Sequence, residues 1–167
     1  MHKFHALMWG MMIALPASAV TTQSFQVGAT ITPGCSVASG TGGIFGTLNF
    51  GSHTGVENGV RSSALLPDTS LALACTPGVA LSMTIDGGKN YTTLRNMVRT
   101  GSTEAVPYRL YTSGALTANT EILVNQAVAI TYSNSNNITL PIFGAAQLTG
   151  FSPAGTYTDQ LTVTLSW

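Results

Sequence analysis

Hydrophobic and polar positions alternate one by one over many short stretches of this chain, and residues 157–167 show the pattern most fully. Leu161, Val163, Leu165 and Trp167 share one parity, and Gln160, Thr162, Thr164 and Ser166 share the other. Successive side chains of a strand point to opposite faces, so this pattern predicts a strand with one buried face. No turn and no partner strand follow it, which predicts a sheet edge that something must cover. Near the other end, Phe25, Val27, Ala29 and Ile31 alternate with Gln26, Gly28 and Thr30 until Pro33-Gly34 breaks the run. Two readings of this stretch stand side by side. It is the first strand of the domain, or it is a detachable donor strand whose apolar side chains fill a groove in another subunit.

Between these ends the same period predicts further short strands. They lie at 35–37, at 45–51, around Leu71, Leu73 and Cys75, and along Val79, Leu81, Met83 and Ile85. Others lie at 106–111, 128–132 and along Ile138, Leu140 and Ile142. Pro77-Gly78 reads as the turn of a hairpin, and Asp86-Gly87-Gly88 as a second hairpin-type turn. The stretches 39–43, 52–60, 89–104, 113–120 and 144–155 read as polar or Gly-rich loops. No window has a 3.6-residue period. Many short strands with Gly, Asn and Pro turns predict an all-β sandwich in a single domain.

The N-terminus changes the picture. Lys3, an apolar run over 6–15, Pro16 and then Ala17-Ser18-Ala19 form the pattern of a secretory signal peptide over residues 1–19. The apolar run is shorter than the roughly 20 residues a membrane-spanning helix needs. Removal of Lys3 with the signal leaves five basic and six acidic residues. Charged residues make up 7% of the chain, against about 25% in an ordinary domain. Such a surface offers little repulsion against close association and suits a subunit packed among neighbours. No basic patch points to nucleic acid.

Export places Cys35 and Cys75 in an oxidising compartment, where a disulfide between them is expected. Closing that loop of about 40 residues contributes roughly 4 kcal/mol in the chain-entropy model. No His or second Cys pair stands at metal-ligand spacing. His53, in a Gly-rich loop, lacks a nucleophile elbow to serve. Asp68, Asp86 and Asp159 are scattered; Asp86 precedes Gly-Gly as a turn residue would, and Asp159 lies on the buried-face parity of the last strand. We expect no enzyme, no cofactor, no metal and no small-molecule substrate.

Several motifs occur together in order: Phe45-Gly46-Thr47-Leu48-Asn49-Phe50-Gly51, Ile85-Asp86-Gly87-Gly88, Val106-Pro107-Tyr108-Arg109-Leu110-Tyr111, Leu140-Pro141-Ile142-Phe143-Gly144, and Ala154-Gly155-Thr156-Tyr157-Thr158-Asp159 leading into Leu161-Thr162-Val163-Thr164-Leu165. After a signal peptide and an early cysteine, this set resembles the spore coat protein U domain found in subunits of archaic, Csu-type chaperone–usher pili. Many members carry Tyr and Arg where this chain has Phe143 and Ala145. The resemblance implies an incomplete immunoglobulin-like sandwich that lacks its last strand and is completed by donor-strand complementation. It implies a periplasmic chaperone, an outer-membrane usher and other pilus subunits as partners, with export to the periplasm and then to the cell surface. It divides the chain into a signal peptide (1–19), a donor extension (20–32) and the sandwich (33–167). Phe25, Val27, Ala29 and Ile31 become the donor residues, and Leu161, Val163, Leu165 and Trp167 the acceptor edge. Adhesion and biofilm formation follow as expected roles. A self-contained secreted binding module, sugar-binding or part of a coat, is the alternative.

Overall fold

The computed structural model describes residues 26–38, 44–68 and 72–167. The signal peptide, Phe25, the 39–43 loop and Leu71 lie outside the described residues. Thr32–Trp167 forms one compact unit, and residues 26–31 belong to a separate one.

The fold is all-β. Its strands are β1 (Cys35–Ala38), β2 (Gly46–Leu48), β3 (Asn58–Pro67), β4 (Ala72–Cys75), β5 (Leu81–Ile85), β6 (Arg95–Arg99), β7 (Ala105–Tyr111), β8 (Val128–Ile130), β9 (Phe143–Thr149), β10 (Tyr157–Thr158) and β11 (Val163–Ser166). All pairings are antiparallel. One sheet has the order β10-β6-β7-β9-β3-β2; a second is β11-β5-β8; β1 pairs with β4 alone. The core lies between these layers. Val106, Tyr108 and Leu110 of β7 and Ala146 of β9 meet Leu73 and Cys75 of β4, Leu81, Met83 and Ile85 of β5 and Ile130 of β8. The sandwich expected from the alternation is the observed architecture. Cys35 and Cys75 stand directly opposite each other across the β1–β4 ladder and are joined by a disulfide.

Several expectations fail locally, each for a physical reason. The 144–155 stretch is no loop: β9 runs through its first half between β7 and β3. Its small residues are there for packing, since a Cβ on Gly144 would collide with Leu48 Cδ2 and come within 2.7 Å of Phe50 Cζ. The 89–104 stretch contains β6, whose inward positions begin with a buried arginine, Arg95, and so disguise the apolar alternation. The 52–60 loop ends early, because β3, the longest strand, starts at Asn58 with Gly59, Arg61 and Ser63 on its partly buried face. Neither expected hairpin forms. Pro77-Gly78 carries the chain from β4 to β5 in a different sheet, and Asp86-Gly87-Gly88 carries it from β5 to β6 in a third.

Ile138, Leu140 and Ile142 are all buried as their alternation requires, yet they make no strand. Their segment bridges two layers, with Ile138 N–H donating to Leu73 and the Ile142 carbonyl accepting from Leu65 N–H. The C-terminal stretch is not one strand but two. Tyr157–Thr158 pairs with β6, and Val163–Ser166 pairs with β5. The apolar alternation continues through the crossing between them. Residues 26–31 form no strand and are exposed, with Val27 and Ile31 each 85% accessible. A strand needs a ladder partner, and the pairings among the described residues offer that segment none.

Candidate functional site

Among the described residues β11 is an edge strand, paired with β5 on one side only. The ladder opens at Asp86 and Thr162, where Asp86 N–H donates to the Thr162 carbonyl at 3.1 Å. Bonded and non-bonded pairs alternate along an antiparallel ladder. Val163 opposite Ile85 and Leu165 opposite Met83 are therefore non-bonded pairs. The N–H and C=O groups of Val163 and Leu165 point away from β5, toward the free edge.

The side chains of the same residues face the core. Leu161, Val163 and Leu165 pack against it but stay half-buried. Leu81, Met83 and Ile85 on the adjacent β5 are at most 3% exposed. The apolar cover that β5 enjoys is missing over β11. β1 shows the same asymmetry: Val37 is 41% exposed while Leu73, its partner on β4, is 1% exposed. Trp167 is 59% exposed, and its indole Nε1 lies 3.8 Å from the place a Cβ on Gly34, just ahead of β1, would occupy. Among the described residues both strands thus present an unpaired backbone edge and an incompletely covered core face.

The approach to β11 is heavily polar. Tyr108 of β7 donates its hydroxyl to Asp159 Oδ2 at 2.7 Å. Burial and that carboxylate together push the Tyr108 phenol far above its ordinary range. Arg95, 4% exposed, donates to three carbonyls: Asp86 at 2.9 Å, Ile122 at 2.8 Å and Ile85 at 3.1 Å. Asp86 Oδ1 accepts from Gly88 N–H and Thr162 N–H. Burial alone would raise the Asp86 carboxyl, but these donors and the nearby Arg95 charge hold it below the usual range. The turn role expected of Asp86 is real; its hold on Thr162 is a second role that no local pattern announces.

A cavity of about 550 Å³ opens at another part of the sandwich, lined by Leu48, Phe50, Arg61, Met97, Leu148 and Tyr157 among others. None of Leu161, Val163, Leu165 and Trp167 lines it. At its rim, His53 Nδ1 faces Glu57 Oε2 at 3.0 Å and Nε2 faces the Phe50 carbonyl at 2.7 Å. The Arg61 guanidinium on the other Glu57 oxygen holds that carboxyl below its ordinary range. His53 therefore hydrogen-bonds at both ring nitrogens beside the Glu57–Arg61 ion pair, and together these contacts fasten the 50–61 segment.

A family model for the Spore Coat Protein U domain matches residues 21–164. The chain belongs to that family. Protein U of Myxococcus xanthus is 30% identical over 91% of this chain and 88% of its own length. Membership of the Spore Coat Protein U family marks the chain as a structural protein and not an enzyme. The matched span takes in the cysteine pair, Asp86, Asp159 and Val163. Two solved complexes are similar in part. The CsuC–CsuE chaperone–tip subunit pre-assembly complex from archaic chaperone–usher Csu pili of Acinetobacter baumannii matches 83% of the chain at 17% identity and a TM-score of 0.49. A chaperone–tip adhesin complex of CFA/I fimbriae matches 75% at 11% identity and a TM-score of 0.42. This chain spans 40% and 39% of the lengths of those two chains.

Proposed function

We propose that this family member is a pilus subunit exported by the chaperone–usher route and polymerised by strand addition. In this reading residues 1–19 are a removed signal, 20–32 a donor extension and 33–167 the sandwich domain. Phe25, Val27, Ala29 and Ile31 of one subunit lie along Leu161, Val163, Leu165 and Trp167 of the next. A periplasmic chaperone covers that edge first, and an outer-membrane usher presides over the exchange. The filament then stands on the cell surface and serves adhesion and biofilm formation. The observation that carries the reading is the pair of deficits at β11: outward-facing peptide groups at Val163 and Leu165, and core-facing side chains left half-covered. Strand addition answers both, since ladder bonds supply affinity and alternate side chains supply fit. Exposed residues 26–31, alternating in the same period, are the complementary part.

Burying a Val or Ile side chain contributes about 1.5–3 kcal/mol, and an unpaired charge in its place costs several kcal/mol. Val27→Asp is expected to abolish polymerisation and spare chaperone binding, because the chaperone fills the groove without using the extension. Val163→Asp is expected to destroy both. Chaperone pull-down and heat-resistant ladders on gels read the two steps. Val27→Asp subunits that still polymerise, or that lose the chaperone as Val163→Asp does, would overturn the donor assignment. The family's description favours a spore or cell coat as a second destination; electron microscopy of the cell surface separates filaments from a layer.

A further inference from the structure

The segments on either side of the Asp86–Thr162 pair hold each other reciprocally. The 86–90 turn contributes Asp86, whose Oδ1 accepts Thr162 N–H at 2.9 Å. The 158–162 crossing contributes Asp159, whose Oδ1 accepts Lys89 N–H at 3.0 Å and Asn90 Nδ2 at 3.1 Å. Each segment thus supplies one aspartate that binds a backbone N–H of the other. Asn90 Nδ2 also reaches the Thr158 carbonyl at 3.4 Å. Gly88 makes the fit: its φ is +81°, and a Cβ there would run into the Asp159 carboxylate.

The Asp86 side chain does something a plain ladder would not need. In an ordinary bonded pair, Thr162 N–H would donate to the Asp86 carbonyl. Here the carboxylate takes that N–H, and the carbonyl accepts from buried Arg95 instead. Through Arg95 the clasp is tied to β6, and through Tyr108 and Asp159 to β7. The crossing that feeds β11 is therefore anchored to the six-stranded sheet by side chains, not by the ladder alone.

We propose that Asp86 and Asp159 are positioning residues for strand addition: a reciprocal clasp that fixes the register of β11 while its outer edge is still unpaired. The inference rests on the donor-strand reading for its purpose but not for its geometry. An edge strand with half its peptide groups unpaired and its core face half-covered has little of its own to prevent fraying. With the clasp in place, an incoming strand meets peptide groups already set at Val163 and Leu165, and the ordering of those residues is not charged against binding.

The test uses the mature chain and two readouts. Hydrogen–deuterium exchange follows a C-terminal peptide covering β11, with peptides from β7 and β9 as internal controls. Uptake of a synthetic peptide of residues 20–32 follows strand addition. Asp86→Ala and Asp159→Ala are expected to raise β11 exchange tenfold or more and slow peptide uptake several-fold, with β7 and β9 unchanged. Asp86→Asn keeps an Oδ1 acceptor for both N–H groups and is expected to restore most of the protection, whereas Asp86→Leu, of similar size but with no acceptor, is expected to restore none. Unchanged β11 exchange in both alanine variants overturns the clasp whatever the peptide does. Exchange that rises equally in β7 and β9 also overturns it, showing a general loss of stability. If the wild-type chain takes up no peptide while the variants still loosen β11 alone, the donor-strand reading fails and the clasp stands as a local anchor.

Discussion

Arg95→Met is the most informative single perturbation of the interior. The guanidinium is buried and donates to three carbonyls, two on the adjacent residues Ile85 and Asp86 and one on Ile122. Methionine fills similar space and donates nothing. The Ile85 carbonyl keeps a partner, because Asn125 N–H donates to it at 2.9 Å. The carbonyls of Asp86 and Ile122 lose the donors described above. A buried acceptor left without a partner costs about 1–3 kcal/mol, so two cost about 2–6 kcal/mol. That is a large part of the 5–15 kcal/mol that typically separates folded from unfolded domains. Urea unfolding can be followed through Trp167, the single tryptophan once the first 19 residues are gone. With a slope of about 2 kcal/mol per molar, the midpoint is expected to fall by roughly 1–3 M. Arg95→Lys is expected to recover part of this loss, as an ammonium keeps three donors but not the planar fork. A midpoint for Arg95→Met within about 0.3 M of wild type would overturn this expectation. It would mean that relief from burying the cation offsets the stranded carbonyls.

Two further outcomes follow from the disulfide and from Asp86. Cys35→Ser with Cys75→Ser removes the cross-link between β1 and β4 and is expected to cost about 2–5 kcal/mol, read as a drop in Tm of the mature chain; an unchanged Tm would show that the β1–β4 ladder alone suffices. Because the folded-state pKa of Asp86 is depressed, its contribution is fully present above the ordinary aspartate pKa of about 4 and is lost as pH falls through the lower folded value. Melting curves between about pH 5 and pH 2 should therefore be flatter for Asp86→Asn than for wild type, and coincident profiles would show that the carboxylate charge plays no part.

Residues whose burial follows the period of two were legible in the sequence. β5 is the clearest case: Leu81, Met83 and Ile85 alternate in sequence and are the most deeply buried run in the fold. β9 was illegible for the opposite reason. A central strand usually declares itself by β-branched or aromatic residues, but β9 carries Gly144, Ala145 and Ala146, and Gly144 must be small for Leu48 and Phe50 to lie across it. The signal for β9 sits in a different part of the chain. β6 was hidden by Arg95, because a charged residue at an inward position reads as solvated unless its carbonyl partners are known. Asp159 was readable only as a polar residue on an apolar parity. Its partners Lys89, Asn90 and Tyr108 lie 70, 69 and 51 residues away, beyond any local pattern.

Two stretches of the chain carry the same apolar alternation and end in different states. Residues 26–31 are exposed and make no strand, whereas Val163–Ser166 is a strand although no described residue pairs with one of its edges. Alternation therefore states what a segment becomes once it is paired, not whether it is paired. What separates the two is a partner and an anchor. β11 has β5 along one side, and it is led into that pairing by Asp86, Asp159 and, behind them, Arg95 and Tyr108. The first stretch has neither among the described residues. In the proposed reading, a segment that needs a ladder and a ladder that needs a segment are complementary by backbone geometry before any side chain is considered. In that reading the side chains then decide the fit, through Val27 and Ile31 on one part and Leu161, Val163 and Leu165 on the other.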